Sequence, residues 1–156
     1  MNPGDQEFRL EVPRDLSQLA TIRDWARNSL NTFPNIRSFI PKLILVIDEC
    51  VTNSIEHGKR LSEIGKLDFE KDTVCILIRR ADSDSKEQID IMIEDKCEFF
   101  DPNSIPPVNP DLFLEGGWEG GMGIHNILQI VDLRTEYQTN TGNKWILSFP
   151  KRGVEY

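Results

Sequence analysis

Between Leu43 and Ile55 the apolar residues fall at Leu43, Ile44, Ile47, Cys50, Val51 and Ile55, a recurrence that an α-helix gathers onto one face. At about 100° per residue Ser54 joins that face. A stripe this broad has to be buried against another layer, so the helix demands a sheet or further helices to pack on. Glu49 and Asn53 fall on the opposite side, about 40° apart and one turn from each other. Leu45 and Val46 lie on that side too, one turn earlier. Either these polar residues belong to the surface, or the side is covered or lines a pocket. The helix is expected from about Ser38 to His57, with Gly58 as its terminator.

The other elements follow from their periods. Glu7 to Pro13 (EFRLEVP) alternates and reads as a strand. In the next segment Leu16, Leu19, Ala20, Ile22, Trp25, Ala26 and Leu30 fit an amphipathic helix, and Asn31 to Asn35 with Pro34 breaks it. TVCILIRRA and QIDIMIED are two strands joined by the polar loop ADSDSKE. Glu98 to Gly121 carries Pro102, Pro106, Pro107 and Pro110 and then GGWEGG, a long irregular segment of the kind that is usually functional. MGIHNILQIVD is a helix, and LRTEYQTN with NKWILSFP closes the chain as a hairpin around Thr141-Gly142. The order β-α-α-β-β-loop-α-β-β predicts an α/β two-layer sandwich, a mixed β-sheet with helices on one face, and a single domain over residues 1–156.

A net charge of −8 argues against wrapping a nucleic-acid backbone, which needs clustered Lys and Arg. No apolar run approaches the ~18 residues of a membrane helix. The N-terminus lacks a basic stretch followed by an apolar one, so no signal peptide is expected. Cys50, Cys75 and Cys97 are odd in number and widely spaced, which fits a reducing cytoplasm better than a disulfide framework.

Two further segments suit a ligand. EGGWEGGMGI, Glu115 to Ile124, puts glycines immediately before and after Met122 at a helix start. Glycines let the backbone approach a ligand, and a helix start offers unpaired N–H groups to phosphate. It is not a P-loop, because no Gly-Lys-Ser/Thr follows, and a flexible loop is the alternative. In IEDKCEFFDP, Asp95 closes a strand and Phe100-Asp101-Pro102 opens the long loop. A carboxylate there can accept from a ligand amine or simply begin a turn.

Taken together, in order and spacing, these three pieces resemble the GHKL (histidine-kinase-like) ATPase superfamily, whose ATP-binding domain has the Bergerat-type fold. The nearest likeness is to the bacterial anti-sigma-factor serine/threonine kinases (RsbW-like). Glu49-Cys50-Val51-Thr52-Asn53 with Ile55-Glu56-His57-Gly58 looks like the N-box. Glu94-Asp95 through Phe100-Asp101-Pro102 looks like the first glycine box, and Gly121-Met122-Gly123-Ile124 like the second; Gly142-Asn143 before the last strand also fits. Cys97 stands where the family usually has glycine.

The resemblance implies roles. Asn53 would ligate Mg²⁺ and help hold ATP, and Glu49 would be the general base. Asp95 would accept a hydrogen bond from the adenine amino group, with Cys97 beside it. Gly121, Met122, Gly123 and Ile124 would meet the phosphates, and Glu98 to Gly120 would form the lid. Leu45 and Val46 would be covered by the pocket floor or the sheet. The implied activity is phosphorylation of a STAS-type anti-sigma-factor antagonist by a cytoplasmic homodimer that also binds a sigma factor. The alternatives are a partner-switching module of the same fold with little or no turnover, and a nucleotide hydrolase. His57 and His125 resemble no phosphoacceptor and read as structural or exposed residues, and Cys97 has no partner cysteine for a redox switch.

Overall fold

The structure is a computed structural model and describes residues 6–63, 73–81, 87–95, 122–138 and 142–151, with backbone alone for 57–63, 122–124 and 138. Strand β1 spans Glu7–Pro13. A 3-10 turn at Leu16–Gln18, capped by the Asp15 side chain accepting from the Ser17 N–H at 3.0 Å, leads into helix α1, Leu19–Leu30. A second 3-10 turn, Pro34–Phe39, precedes the long helix α2, Ile40–Glu63. Strands β2 (Thr73–Arg80) and β3 (Ile89–Asp95), helix α3 (Met122–Ile130), and strands β4 (Asp132–Gln138) and β5 (Gly142–Phe149) complete the described elements.

The five strands form one sheet in the order β1-β2-β3-β5-β4. Every neighbouring pair is antiparallel, which corrects the expected mixed sheet. The reason lies in where β5 sits. β3 and β4 do run in the same direction, but the hairpin return of β5 is inserted between them, so no two parallel strands are neighbours. At the hairpin Gly142 has φ 86°, a left-handed conformation that glycine adopts without Cβ strain.

The alternation of the strands sends one side inward. Val12, Val74, Ile76, Ile78, Ile89, Ile91, Ile93, Trp145, Leu147 and Phe149 form one cluster with the core faces of the helices. On the other side the charged residues pair along the surface: Arg9 with Glu11, Arg79 with Asp90, Lys144 with Glu94 and Arg134 with Glu136, at 3.7–3.9 Å.

Helix α2 runs through Gly58 rather than ending there. Gly58 is helical, which costs about 1 kcal/mol relative to Ala but does not end a helix. At its other end the residues from Pro34 to Phe39 take the tighter 3-10 turn, so the α-helix proper begins at Ile40. The core face of α2 is as its spacing predicts: Leu43, Ile44, Ile47, Cys50, Val51, Ser54 and Ile55 are all buried.

Candidate functional site

Helix α2 is held in a fixed rotation by two contacts. On the α1 side Arg23 grips Asp48 with two hydrogen bonds, Nε to Oδ1 at 2.8 Å and Nη2 to Oδ2 at 2.9 Å. A paired guanidinium–carboxylate geometry resists twisting as well as separation. The Asp48 bond and charge in turn raise the pKa of Arg23. Further along, the buried Arg14, placed just after β1, donates from Nη1 to the Ser54 carbonyl at 2.7 Å and to its hydroxyl at 3.1 Å. Asp48 and Ser54 flank Glu49 and Asn53 in sequence, so these contacts set the side toward which those two residues point.

Glu49 and Asn53 are both half-buried. Of the two apolar residues a turn earlier, Val46 is buried as expected, whereas Leu45 is 44 % exposed. At 100° per residue Leu45 lies farther round the helix than Glu49, away from the Val46 edge that meets the core. The expectation that both would be covered therefore fails for Leu45.

Strand β3 carries its last residue to the same helix. Asp95 is only 4 % exposed, and its Oδ1 accepts from the Asn143 side-chain amide at 3.3 Å across the β3–β5 pair. The Cys50 thiol on α2 is buried. Burial pushes its pKa well above the ordinary thiol range, and the charges of Glu49 and then Asp95 add to the rise. Glu49 on the helix and Asp95 on the strand thus each lie near enough to Cys50, on the helix's inner face, for their charges to act on its thiol.

Helix α3 packs against α2 and begins at Met122, so Met122, Gly123 and Ile124 form its first turn. Their side chains, together with Cys97, Gly121, Phe100-Asp101-Pro102 and the expected lid from Glu98 to Gly120, lie outside the described residues. His125 is exposed, with its Nε2 in hydrogen-bond contact with the Gln129 amide at 2.9 Å. Among the described residues no group of three or more His, Cys, Asp and Glu could hold a metal. The Asn53 amide offers one hard oxygen of the kind that magnesium takes.

Asn143 is the site residue that sequence reasoning left out of its candidates. The available signal was its place in the inward row Asn143, Trp145, Leu147, Phe149, where a polar residue at the strand's start stands out. Arg14 and the Arg23–Asp48 pair gave no sequence signal, since their partners are 40 and 25 residues away. A cavity of about 290 Å³ bordered by Gln88, Asp132 and Ser148 lies at the other end of the sheet and contains none of these residues.

Comparison with known proteins gives the arrangement a context. A family model described as a histidine kinase-like ATPase domain matches residues 12–149. A chain of the SiaB–SiaC complex from Pseudomonas aeruginosa has a similar fold, with a TM-score of 0.54 at 12 % identity, covering 90 % of this chain and 88 % of that one. No curated protein sequence matches.

Proposed function

The chain belongs to the histidine kinase-like ATPase domain family, and from that premise we propose that it is a Mg-ATP-dependent protein serine/threonine kinase working as a partner-switching regulator. What supports this reading is Glu49 and Asn53, half-buried one turn apart on α2, together with Asp95 buried at the end of β3 and bonded to Asn143 across the sheet. Asp95, with Asn143 fixing its orientation, is suited to accept from an adenine amino group, which guanine does not offer at that position. The Asn53 amide oxygen would help hold a magnesium ion, whose chemistry is to bridge and neutralise the phosphates. Glu49 would take the proton of a substrate serine or threonine hydroxyl as that oxygen forms its bond to the γ-phosphorus. The bond from the γ-phosphorus to the β–γ bridging oxygen then breaks, and ADP leaves with the bond's electron pair.

The substrate would be a STAS-type antagonist and the sequestered partner a sigma factor. Support for a protein partner is that the SiaB–SiaC neighbour was solved as a complex. A second reading, a regulator of the same fold with little or no turnover, is favoured by Cys97 at a position that is usually glycine in the family.

The test is Glu49→Gln, which keeps shape and hydrogen bonding but takes no proton. Transfer of the γ-phosphate to a STAS-domain substrate should fall on the order of 10²-fold or more, with nucleotide affinity nearly unchanged. Parallel loss of affinity would make Glu49 a metal-site or structural residue. A wild type that binds ATP but transfers nothing would favour the switching module.

A further inference from the structure

The outer face of the sheet, opposite the helices, is hollowed at the end remote from Asp95. The register places Arg79, Asp90, Ser148 and Asp132 side by side across β2, β3, β5 and β4. Arg134 is the next residue of β4 on that face. Pro150 follows β5 and Gln88 precedes β3 at the same end. Ser148 has the smallest side chain of its row, so the groups around it rise above it. Over it lies the cavity of about 290 Å³, bordered by Gln88, Asp132, Leu133, Arg134, Ser148 and Pro150. A space of that size is at the small end of ligand sites and holds a metabolite rather than a nucleotide.

Hydrogen bonding decides what the hollow can hold. Asp90 is buried, and its Oδ1 accepts from the Ser148 hydroxyl at 2.8 Å and from the Gln88 amide at 3.3 Å, with the Arg79 guanidinium 3.7 Å from its Oδ2. The Ser148 proton is therefore already given away, and toward a ligand its oxygen can only accept. The half-buried Asp132 carboxylate beside it is an acceptor too. Two acceptors, one of them anionic, select a donor that carries positive charge. Arg134 makes the opposite demand. It is exposed, and Glu136 approaches it only to 3.8 Å, beyond hydrogen-bond range, so its guanidinium can turn to an anion at small cost. Two residues along a strand, Asp132 and Arg134 are separated by ~6–7 Å at Cα. A molecule with an ammonium and a carboxylate on one carbon bridges such a gap while each head keeps its own hydrogen bond.

We propose that this hollow binds a free α-amino acid, its ammonium group on Asp132 and the Ser148 oxygen and its carboxylate on Arg134, with Leu133 and Pro150 as an apolar border to its side chain. The site includes none of the residues assigned to the nucleotide and is independent of the kinase reading. A thermal-shift screen of the full chain with each standard amino acid at about 10 mM should pick out at least one, and isothermal titration should give its dissociation constant. The carboxamide of that amino acid lacks the anion and its N-acetyl derivative lacks the ammonium, so each should bind about tenfold more weakly or worse. Arg134→Met, a change at an exposed position, should bring the amino acid down to the affinity of the carboxamide and leave the carboxamide itself unchanged. Asp132→Asn should likewise reduce the amino acid to the level of its N-acetyl derivative and leave that derivative unchanged. These paired results separate loss of one contact from loss of the fold, which would abolish all binding together. The proposal is overturned if no amino acid binds the folded wild type, if either derivative binds as well as the parent, or if either variant keeps full affinity.

Discussion

Replacing Asp95 by Asn should separate what this residue does for the fold from what it does for a ligand. The side chain is nearly fully buried and accepts from the Asn143 amide at 3.3 Å. Asn has almost the same shape and keeps one oxygen for that amide, so the strand-to-strand contact survives. The substitution also removes a buried formal charge, whose desolvation opposes folding. Stability should therefore hold or rise by up to about 1 kcal/mol, which for a chain of this size is an increase in melting temperature of about 2–4 °C. Nucleotide affinity should move the other way. The carboxylate has two acceptor oxygens, whereas the amide presents an N–H donor in place of one, and a donor opposite the adenine amine is repulsive. Loss of a hydrogen bond to a charged group is worth about 1.5–3 kcal/mol, or roughly 10- to 150-fold in the dissociation constant. Differential scanning fluorimetry without nucleotide, beside isothermal titration with Mg-ATP, measures both effects. A fall of several degrees in melting temperature with affinity unchanged would refute the argument and make Asp95 a strand-end residue serving the fold.

Two further expectations concern the α2 core. Ile47 is buried between the helix and the sheet, so Ile47→Ala should destabilise by about 2–5 kcal/mol; urea unfolding followed by circular dichroism would measure it, and a loss under 1 kcal/mol would mean that the site collapses around the gap. The Cys50 thiol has its pKa raised by burial, then by Glu49 and Asp95. The unfolded chain therefore gives up this proton at lower pH than the folded one, so the stability it contributes is complete below about pH 8.5 and declines as the pH rises above that value. Unfolding of wild type and Cys50→Ala at neutral and alkaline pH should show a steeper alkaline loss in the wild type, and Cys50 should resist thiol reagents in the native state at pH 8.

Much of this arrangement was written locally. The core face of α2, the strand periods and the element order are properties of neighbouring residues along the chain. Period 2 and period 3.6 each mark a buried side before any partner is known. The same geometry placed Glu49 and Asn53 together, because one helical turn joins them. The place of Asp95 as the last residue of β3 was equally visible as the end of an alternating strand.

What the tertiary structure decided are the relations between distant segments. Inserting β5 between β3 and β4 made the sheet antiparallel throughout, and no local period encodes which strands become neighbours. Placing Asn143 opposite Asp95 joined residues 48 apart in sequence. Helix α2 continued past Gly58, since a helical glycine costs only about as much as one or two ordinary contacts contribute. Exposure of Leu45, burial of Arg14 against Ser54 and the clasp of Arg23 on Asp48 depend on how α1, β1 and α2 meet. Local spacing fixes which side of a helix or strand a residue occupies; only the packing of those sides against one another determines what each residue faces.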